Sequence, residues 1–396
     1  MSMQSGRRVG VAFVGMGGAV ATTAIAGIEM IKSGSNRLDG LPLAGLSVAG
    51  LADYKDLVFG GWDLNGDDLA TAASGHGVLS KDDIEDGAGA LKGITPWPAV
   101  GSAKFCKNID GQNRIVAKDH REAVSVIAND LRRFQKESNL DDVVVVNLAS
   151  TERWPDLNDP TLNSTAAFEK GLDSSDEAIS PAMLYAYAAI KSGIPYANFT
   201  PSVAADVPAL LDLAKELNVP VAGKDGKTGQ TMMKTVLAPA FKARALHVDG
   251  WFSTNILGNR DGLALNDPNS LQSKLNTKGT VLDSILGYPV EDHLVHIHYY
   301  RPRGDDKEAW DNIDVTGFMG QRMQVKVNFL CKDSILAAPL VIEIARVLDL
   351  AHTRGDGGVQ EQLSTFFKAP MVKNGRGPEH AFGKQEQMLR DWLGVH

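Results

Sequence analysis

Apolar residues along this 396-residue chain fall into two textures. In the first, short unbroken apolar runs alternate with stretches whose apolar positions recur every three or four residues. "VGVAFV", Val9 to Val14, is followed by glycines and then by "AVATTAIAGIEMIK", so a buried strand, a turn and a helix ending near Gly34 are expected. A second strand is expected in "LSVAGLAD", Leu46 to Asp53. Further strands fall in "DDVVVVNLAS", Asp141 to Ser150, and "IPYANFTP", Ile194 to Pro201, with a helix from about Ser180 to Ser192 between them. This alternation predicts a doubly wound parallel sheet with helices on both faces. Strands of such sheets carry polar functional residues at their carboxyl ends, here "NLASTE" and "NFTPS".

The second texture begins near position 246. "VDGWFSTNILG", "HLVHIHYY" and "GFMGQRMQVKVNFLC" alternate polar and apolar residues as half-buried antiparallel strands do. From "DSILAAPLVIEIARVLDLAHTRG" onward the chain is helical again and rich in small apolar residues that suit packing on the first sheet. The expected organisation is a Rossmann-type dinucleotide-binding domain over 1–245, an inserted α+β domain over 246–332, and helices over 333–396 that complete the first. Gly87 to Ile94 and Lys373 to Gly383 read as flexible.

Charge and cysteine content narrow the function classes. A formal charge of −8 with a pI near 5.6 argues against a sequence-independent nucleic-acid binder, so an anionic substrate must meet a local lysine cluster. Cys106 and Cys331 frame no disulfide scaffold and match no metal spacing, which suits a reducing compartment. Arg7-Arg8 and the apolar run behind them imitate a secretory leader, but glycines crowd the point where a strand hands over to a helix. No segment approaches the ~18 uninterrupted apolar residues of a membrane span. The expected location is cytoplasmic.

Two glycine-rich stretches carry the candidate chemistry. Gly15 and Gly17 fit the first two positions of a dinucleotide fingerprint; the third falls on Val20, with Gly18 and Ala19 between. Asp53 is the expected ribose acid, although it lies beyond the usual ~20-residue spacing. The second stretch, "GKDGKTGQTMMKT", opens a helix with lysines among glycines, the composition of an anion cradle. It is not a nucleotide P-loop, because Val221 stands where that motif needs glycine. The bland reading is that Gly226 and Thr228 merely turn and cap the helix. Lys274, Lys278, Lys307 and Lys368 recur where a surface reading is awkward, and a lysine beside apolar residues has a lowered pKa and can exchange protons; taken singly, each also reads as a solvated lysine with a buried stem. His296 and His298 would share a strand face, for which an interface or core role is commoner than a metal. Asp261 and Asp333 suit a hard cation better.

In order along nearly the whole chain, "NLASTE", "YAYAAIKSGIPYANFTPS", "GKDGKTGQTMMKTVLAP", "GWFSTNILGNRDG", "SKLNTKGTVLDSILGY", "DSILAAPLVIEIAR" and "FFKAPM" resemble the myo-inositol-1-phosphate synthase family, nearest to its compact prokaryotic and archaeal type. The resemblance implies a Rossmann domain with an inserted catalytic sheet, a homotetramer, and NAD that is reduced and reoxidised within one turnover. Glucose 6-phosphate would be oxidised at C5, enolised at C6, closed by aldol attack on C1 and reduced again. By residue-wise match, Lys274, Lys278, Lys307, Lys368, Asn255 and Asp225 take the catalytic positions. Lys227 with Thr228, Gly229, Gln230 and Thr231 takes the phosphate. Gly15, Gly17, Gly18, Ala19, Val20, Asp53, Asn147, Ser150 and Thr151 take NAD, and Asp261 and Asp333 match positions linked to a divalent cation. Lys224, Met232 and the missing third glycine depart from much of the family. Two alternatives stay open: a synthase closing fructose 6-phosphate to a five-membered cyclitol phosphate, and a catalytically idle NAD-binding homologue.

Overall fold

The computed structural model describes residues 6–34, 38–107, 109–259, 262, 281–373, 375 and 377–395. The chain opens with β1 (Val9–Val14), α1 (Ala19–Lys32), β2 (Leu57–Asp63), α2 (Leu69–His76), α3 (Lys81–Lys92) and β3 (Trp97–Pro98). It continues through α4 (His120–Glu137), β4 (Asp142–Asn147), α5 (Thr165–Ser174), α6 (Pro181–Lys191), β5 (Tyr196–Asn198), α7 (Pro208–Glu216) and β6 (Pro220–Gly223). The helix α8 (Gln230–Ala243) leads into β7 (His247–Leu257), α9 (Val281–Leu286), β8 (Asp292–Tyr299), β9 (Asp306–Thr316) and β10 (Arg322–Lys332). The chain then returns through α10 (Asp333–Arg354), β11 (Gly358–Val359) and α11 (Phe382–Leu393).

Seven strands form one parallel sheet in the order β3-β2-β1-β4-β5-β6-β11. Every residue of β1 and β4 is buried, as expected of strands covered on both faces. One apolar core lies under α4 to α7, and a second under α1 and α10, including Ile25, Ile28, Val341 and Leu348. The first six strands follow the doubly wound order whose chain direction reverses between β1 and β4, where dinucleotide sites form.

The second strand is displaced from its expected place. Leu46 to Asp53 holds turns instead, with Gly50 at φ +81° and Asp53 accepting a hydrogen bond from Lys55 N to cap a short 3-10 turn. The strand is "LVFGGWD", disguised by two glycines that the packing demands: a Cβ on Gly61 would lie 2.1 Å from the Phe13 carbonyl oxygen, and one on Gly60 would lie 2.8 Å from the Trp97 ring. Gly87 to Ile94, read as flexible, largely belongs to α3, which a Ser80–Asp83 capping box starts.

β7 to β10 form a separate four-stranded sheet in the order β10-β9-β7-β8. It is mixed rather than antiparallel, because β7 and β8 run parallel, with Trp251 opposite His293 and Asn255 opposite Ile297. The strand β9 was not expected, although it alternates as clearly as its neighbours. One face packs on α8 and α9 through Trp251, Ile313, Phe241 and Leu282. The other carries exposed Leu294, Trp310 and Leu330 together with the stacked imidazoles of His296 and His298, 6.2 Å apart. Among the described residues, no helix is long and apolar enough to cross a membrane.

Candidate active site

The turn from β1 into α1 is shaped mainly by backbone. Gly15 sits at φ +88°, and a Cβ there would lie 3.1 Å from the Ala149 and Leu148 backbone. Its N–H and that of Met16 donate to the Trp62 carbonyl, at 2.8 and 3.0 Å. Gly18 is the N-cap of α1 and offers no side chain to the helix's first N–H groups, the condition for a bound anion to meet them. Gly15, Gly18, Ala19 and Val20 are all half-buried at this mouth, and Val20 also packs on the core.

The acid at the carboxyl end of β2 is Asp63, not Asp53, which precedes that strand. Asp63 Oδ2 accepts from Gly17 N at 2.9 Å and Oδ1 accepts from Asn65 N at 2.9 Å. Asp63 thus holds the strand-end position expected for Asp53, and only the true position of β2 reveals it. At the end of β4, Asn147 is buried; its Oδ1 accepts from Ala149 N and its Nδ2 donates to Asn198. Asn147 and Ser150 line a pocket with Val14, Cys106 and Glu152, while Thr151 is buried and its carbonyl receives the Cys106 thiol. Glu152, unassigned from sequence, is buried with Oε1 accepting from Ala182 N at the start of α6, and burial lifts its carboxyl to about 7.

The lysine loop leaves β6 at the same carboxyl edge, two strands beyond β4. Segment 366–371 runs against it: Lys227 N donates to Phe366 O, Lys368 N to Asp225 O, and Met371 N to Gly223 O. Gly226 is required where it stands, since a Cβ would fall 2.0 Å from the Phe199 ring. This pairing brings Lys368 Nζ to 2.7 Å from Asp225 Oδ1, both buried. On the other side Asp333, the first residue of α10, accepts from Thr228 Oγ1 at 2.9 Å and from Lys307 Nζ at 3.3 Å. Gly229 is the N-cap of α8, again without a side-chain cap. Gln230 and Thr231 are buried in the first turn, and Gln230 Oε1 accepts from Asn255 Nδ2 on the inner face of β7. Asp225, Thr228, Gly229, Gln230, Asn255, Lys307, Asp333 and Lys368 thus come together around the N-terminus of α8.

Lys227 is placed differently from its neighbours. Its ammonium donates to Gln385 Oε1 on α11 and lies 5.3 Å from the Phe382 ring centre, and burial draws it down to about 7. Another buried lysine, Lys234, was not assigned from sequence. Its Nζ lies 2.7 Å from His293 Nε2, and burial holds it near 8 against the opposing pull of Asp311. The helical spacing Gln230–Lys234 is a signal that could have placed it beside the inserted sheet. Lys274, Lys278 and Asp261 lie outside the described residues. No group of three potential metal ligands occurs among the described residues.

The sequence profile of an NAD-binding family, described as myo-inositol-1-phosphate synthase, matches residues 42–394. The chain belongs to the myo-inositol-1-phosphate synthase family. It is 43% identical over 407 aligned residues to inositol-3-phosphate synthase 1 of Bacteroides thetaiotaomicron, covering 98% of this chain and 95% of that one. Against isozyme 2 of inositol-3-phosphate synthase from Arabidopsis thaliana it is 34% identical, over 88% of this chain and 72% of the relative. The crystal structure of inositol-3-phosphate synthase from Caenorhabditis elegans superposes with a TM-score of 0.92 at 26% identity, covering 99% of this chain and 86% of that chain. Within this NAD-binding family, the glycine turn fits the cofactor: its cradle is one that a Cβ at Gly15 would fill, and the helix start behind it has no side-chain cap.

Proposed function

We propose that this chain converts glucose 6-phosphate to 1L-myo-inositol 1-phosphate by an intramolecular aldol cyclisation with no net redox change. The observation that carries the proposal is the gathering of Lys368–Asp225 and Thr228–Asp333–Lys307 at the N-terminus of α8, on the same sheet edge as the dinucleotide turn. NAD+, when bound, supplies the reversible hydride acceptor for C5. The helix start at Gly229 to Thr231 receives the phosphate through its N–H groups. Lys274 exchanges the proton of the C5 oxygen, and Lys278 and Lys368 meet the phosphate and the oxyanions of enolate and aldol closure, where fixed cations in a water-poor site act most strongly. Asp225 and Asp333 keep Lys368 and Lys307 aimed, and Gln230 positions Asn255. A divalent cation beside Asp261 and Asp333 would share Asp333 with Lys307 and Thr228.

The domain division at 245/246 and 332/333 follows the separation of the two sheets. The exposed outer face of the mixed sheet, with Leu294, Trp310 and Leu330, supports assembly into a homotetramer.

The test is product analysis by NMR after incubating the protein with NAD+ and either glucose 6-phosphate or fructose 6-phosphate. A six-membered inositol phosphate from glucose 6-phosphate, with no accumulation of NADH, is the expected result. A five-membered cyclitol phosphate from fructose 6-phosphate, or no cyclised product, overturns the proposal.

A further inference from the structure

α2 starts at Asp68, whose Oδ1 accepts from Ala70 N and Thr71 N, and stops at Gly77, left-handed at φ 65°. Its last helical residue, His76, is half-buried and reaches back to the dinucleotide turn, with Nε2 2.7 Å from the Gly17 carbonyl oxygen. A carbonyl only accepts, so the ring presents Nε2–H to it. The N–H of the same Gly17 is held by Asp63 Oδ2 at 2.9 Å. The two peptide planes flanking the Gly17 Cα are therefore each anchored by a side chain, one from β2 and one from α2. With both planes fixed, neither dihedral of Gly17 is free to swing the N-cap Gly18 and the first N–H groups of α1 away from the mouth.

We propose that His76 is a positioning residue for the cofactor: it preorganises the glycine turn so that the turn is not ordered at the expense of NAD+ affinity. The proposal rests on the reading of this turn as the NAD site. Glycine is needed at 17 for the same reason, because a Cβ there would press to 3.2 Å from the Asp63 carboxylate that grips the turn. His76 lies 59 residues from Gly17 and outside the local fingerprint. A flexible turn would pay its ordering entropy on binding, and a single hydrogen bond of this kind contributes about 0.5–1.5 kcal/mol.

The test is calorimetric titration of the full-length chain with NAD+, for the wild type, His76→Ala and His76→Gln. His76→Ala is expected to bind about three- to tenfold more weakly while keeping the wild-type circular dichroism spectrum. His76→Gln, whose amide N–H also donates to a carbonyl, is expected to return to within about twofold of wild type. The Michaelis constant for glucose 6-phosphate should not move in either variant. Wild-type affinity in His76→Ala, or equal weakening in both variants, overturns the role of His76. A wild-type chain that binds no NAD+ refutes the cofactor reading itself and the proposal with it.

Discussion

The dinucleotide turn and the lysine site share one sheet edge but are made of different material. The turn is built from backbone: Gly15 and Gly18 keep side chains out of the mouth and leave the first N–H groups of α1 uncapped, and side chains enter only to hold Gly17. The lysine site is built from side-chain pairs that join distant parts of the chain: Asp225 with Lys368, 143 residues apart, and Thr228 with Asp333, 105 apart. The backbone site needs only elements of the parallel sheet and its helices: β1, β2, the end of β4, α1 and α2. A site of paired charges exists only when the inserted sheet, α10 and segment 366–371 have all closed on the loop. Lesions in the two regions should therefore separate cofactor binding from chemistry.

The largest effect is expected at Lys368. Lys368→Met removes the ammonium that faces Asp225, and turnover should fall by about 10²–10³-fold, the range for loss of one positioned oxyanion donor. NAD+ affinity, measured by titration, should stay at the wild-type value, because nothing in the glycine turn touches this pair. Wild-type turnover would remove Lys368 from the chemistry. A parallel loss of NAD+ binding would show that the two sites are not separable.

The reciprocal lesion is Gly15→Val. A β-branched residue at φ +88° is strained, and its Cβ would press on the Ala149 and Leu148 backbone at 3.1 Å. NAD+ binding should weaken more than tenfold, with turnover partly recovered at high NAD+ because the lysine pairs are intact; tenfold corresponds to about 1.4 kcal/mol of displaced turn. A variant that still copurifies with NAD would place the cofactor elsewhere.

The same contrast decides what could be read without coordinates. β1, β4 and α6 follow directly from unbroken apolar runs and helical spacing, and Ser180 and Ser192 do bracket α6. β2 escaped because its glycines, demanded by Phe13 and Trp97, look like a turn, and the acid at its carboxyl end is Asp63 instead of Asp53. The parallel pairing of β7 with β8 escaped because alternation reports which residues share a face, not which way a neighbour runs. In the lysine site the residue types were legible through their glycines and apolar flanks, but the pairs were not. That Asp333 serves Lys307 and Thr228, or that His293 meets Lys234, depends on long-range closure that no local spacing records. Lys227 shows the limit most clearly: its place in the loop suggested a phosphate, while its ammonium lies against α11.

Lys227 gives the smallest effect and sharpens the comparison most. Its described partners are neutral, Gln385 Oε1 and the Phe382 ring, and the same burial, with the charge of Lys227 next, draws His380 down to about 4. In the folded chain Lys227 titrates near 7 instead of near 10.5, so between those values the unfolded chain binds more protons and stability rises with pH. The contribution is fully present above about 10.5 and is lost as pH falls toward 7. Relative to Lys227→Met, the wild type should thus gain about 1–3 kcal/mol between pH 7 and 9.5 in denaturant midpoints. A flat difference would mean that a counter-charge already serves this lysine. Gln385→Glu supplies one without changing side-chain shape, and should shrink the slope by returning the ammonium toward its ordinary range. If that variant also lowers affinity for glucose 6-phosphate while NAD+ affinity holds, the free charge of Lys227 belongs to the anion side of the edge. If affinity for the sugar phosphate is unchanged, Lys227 is a pin for α11, and the phosphate is left to the helix start and the remaining lysines.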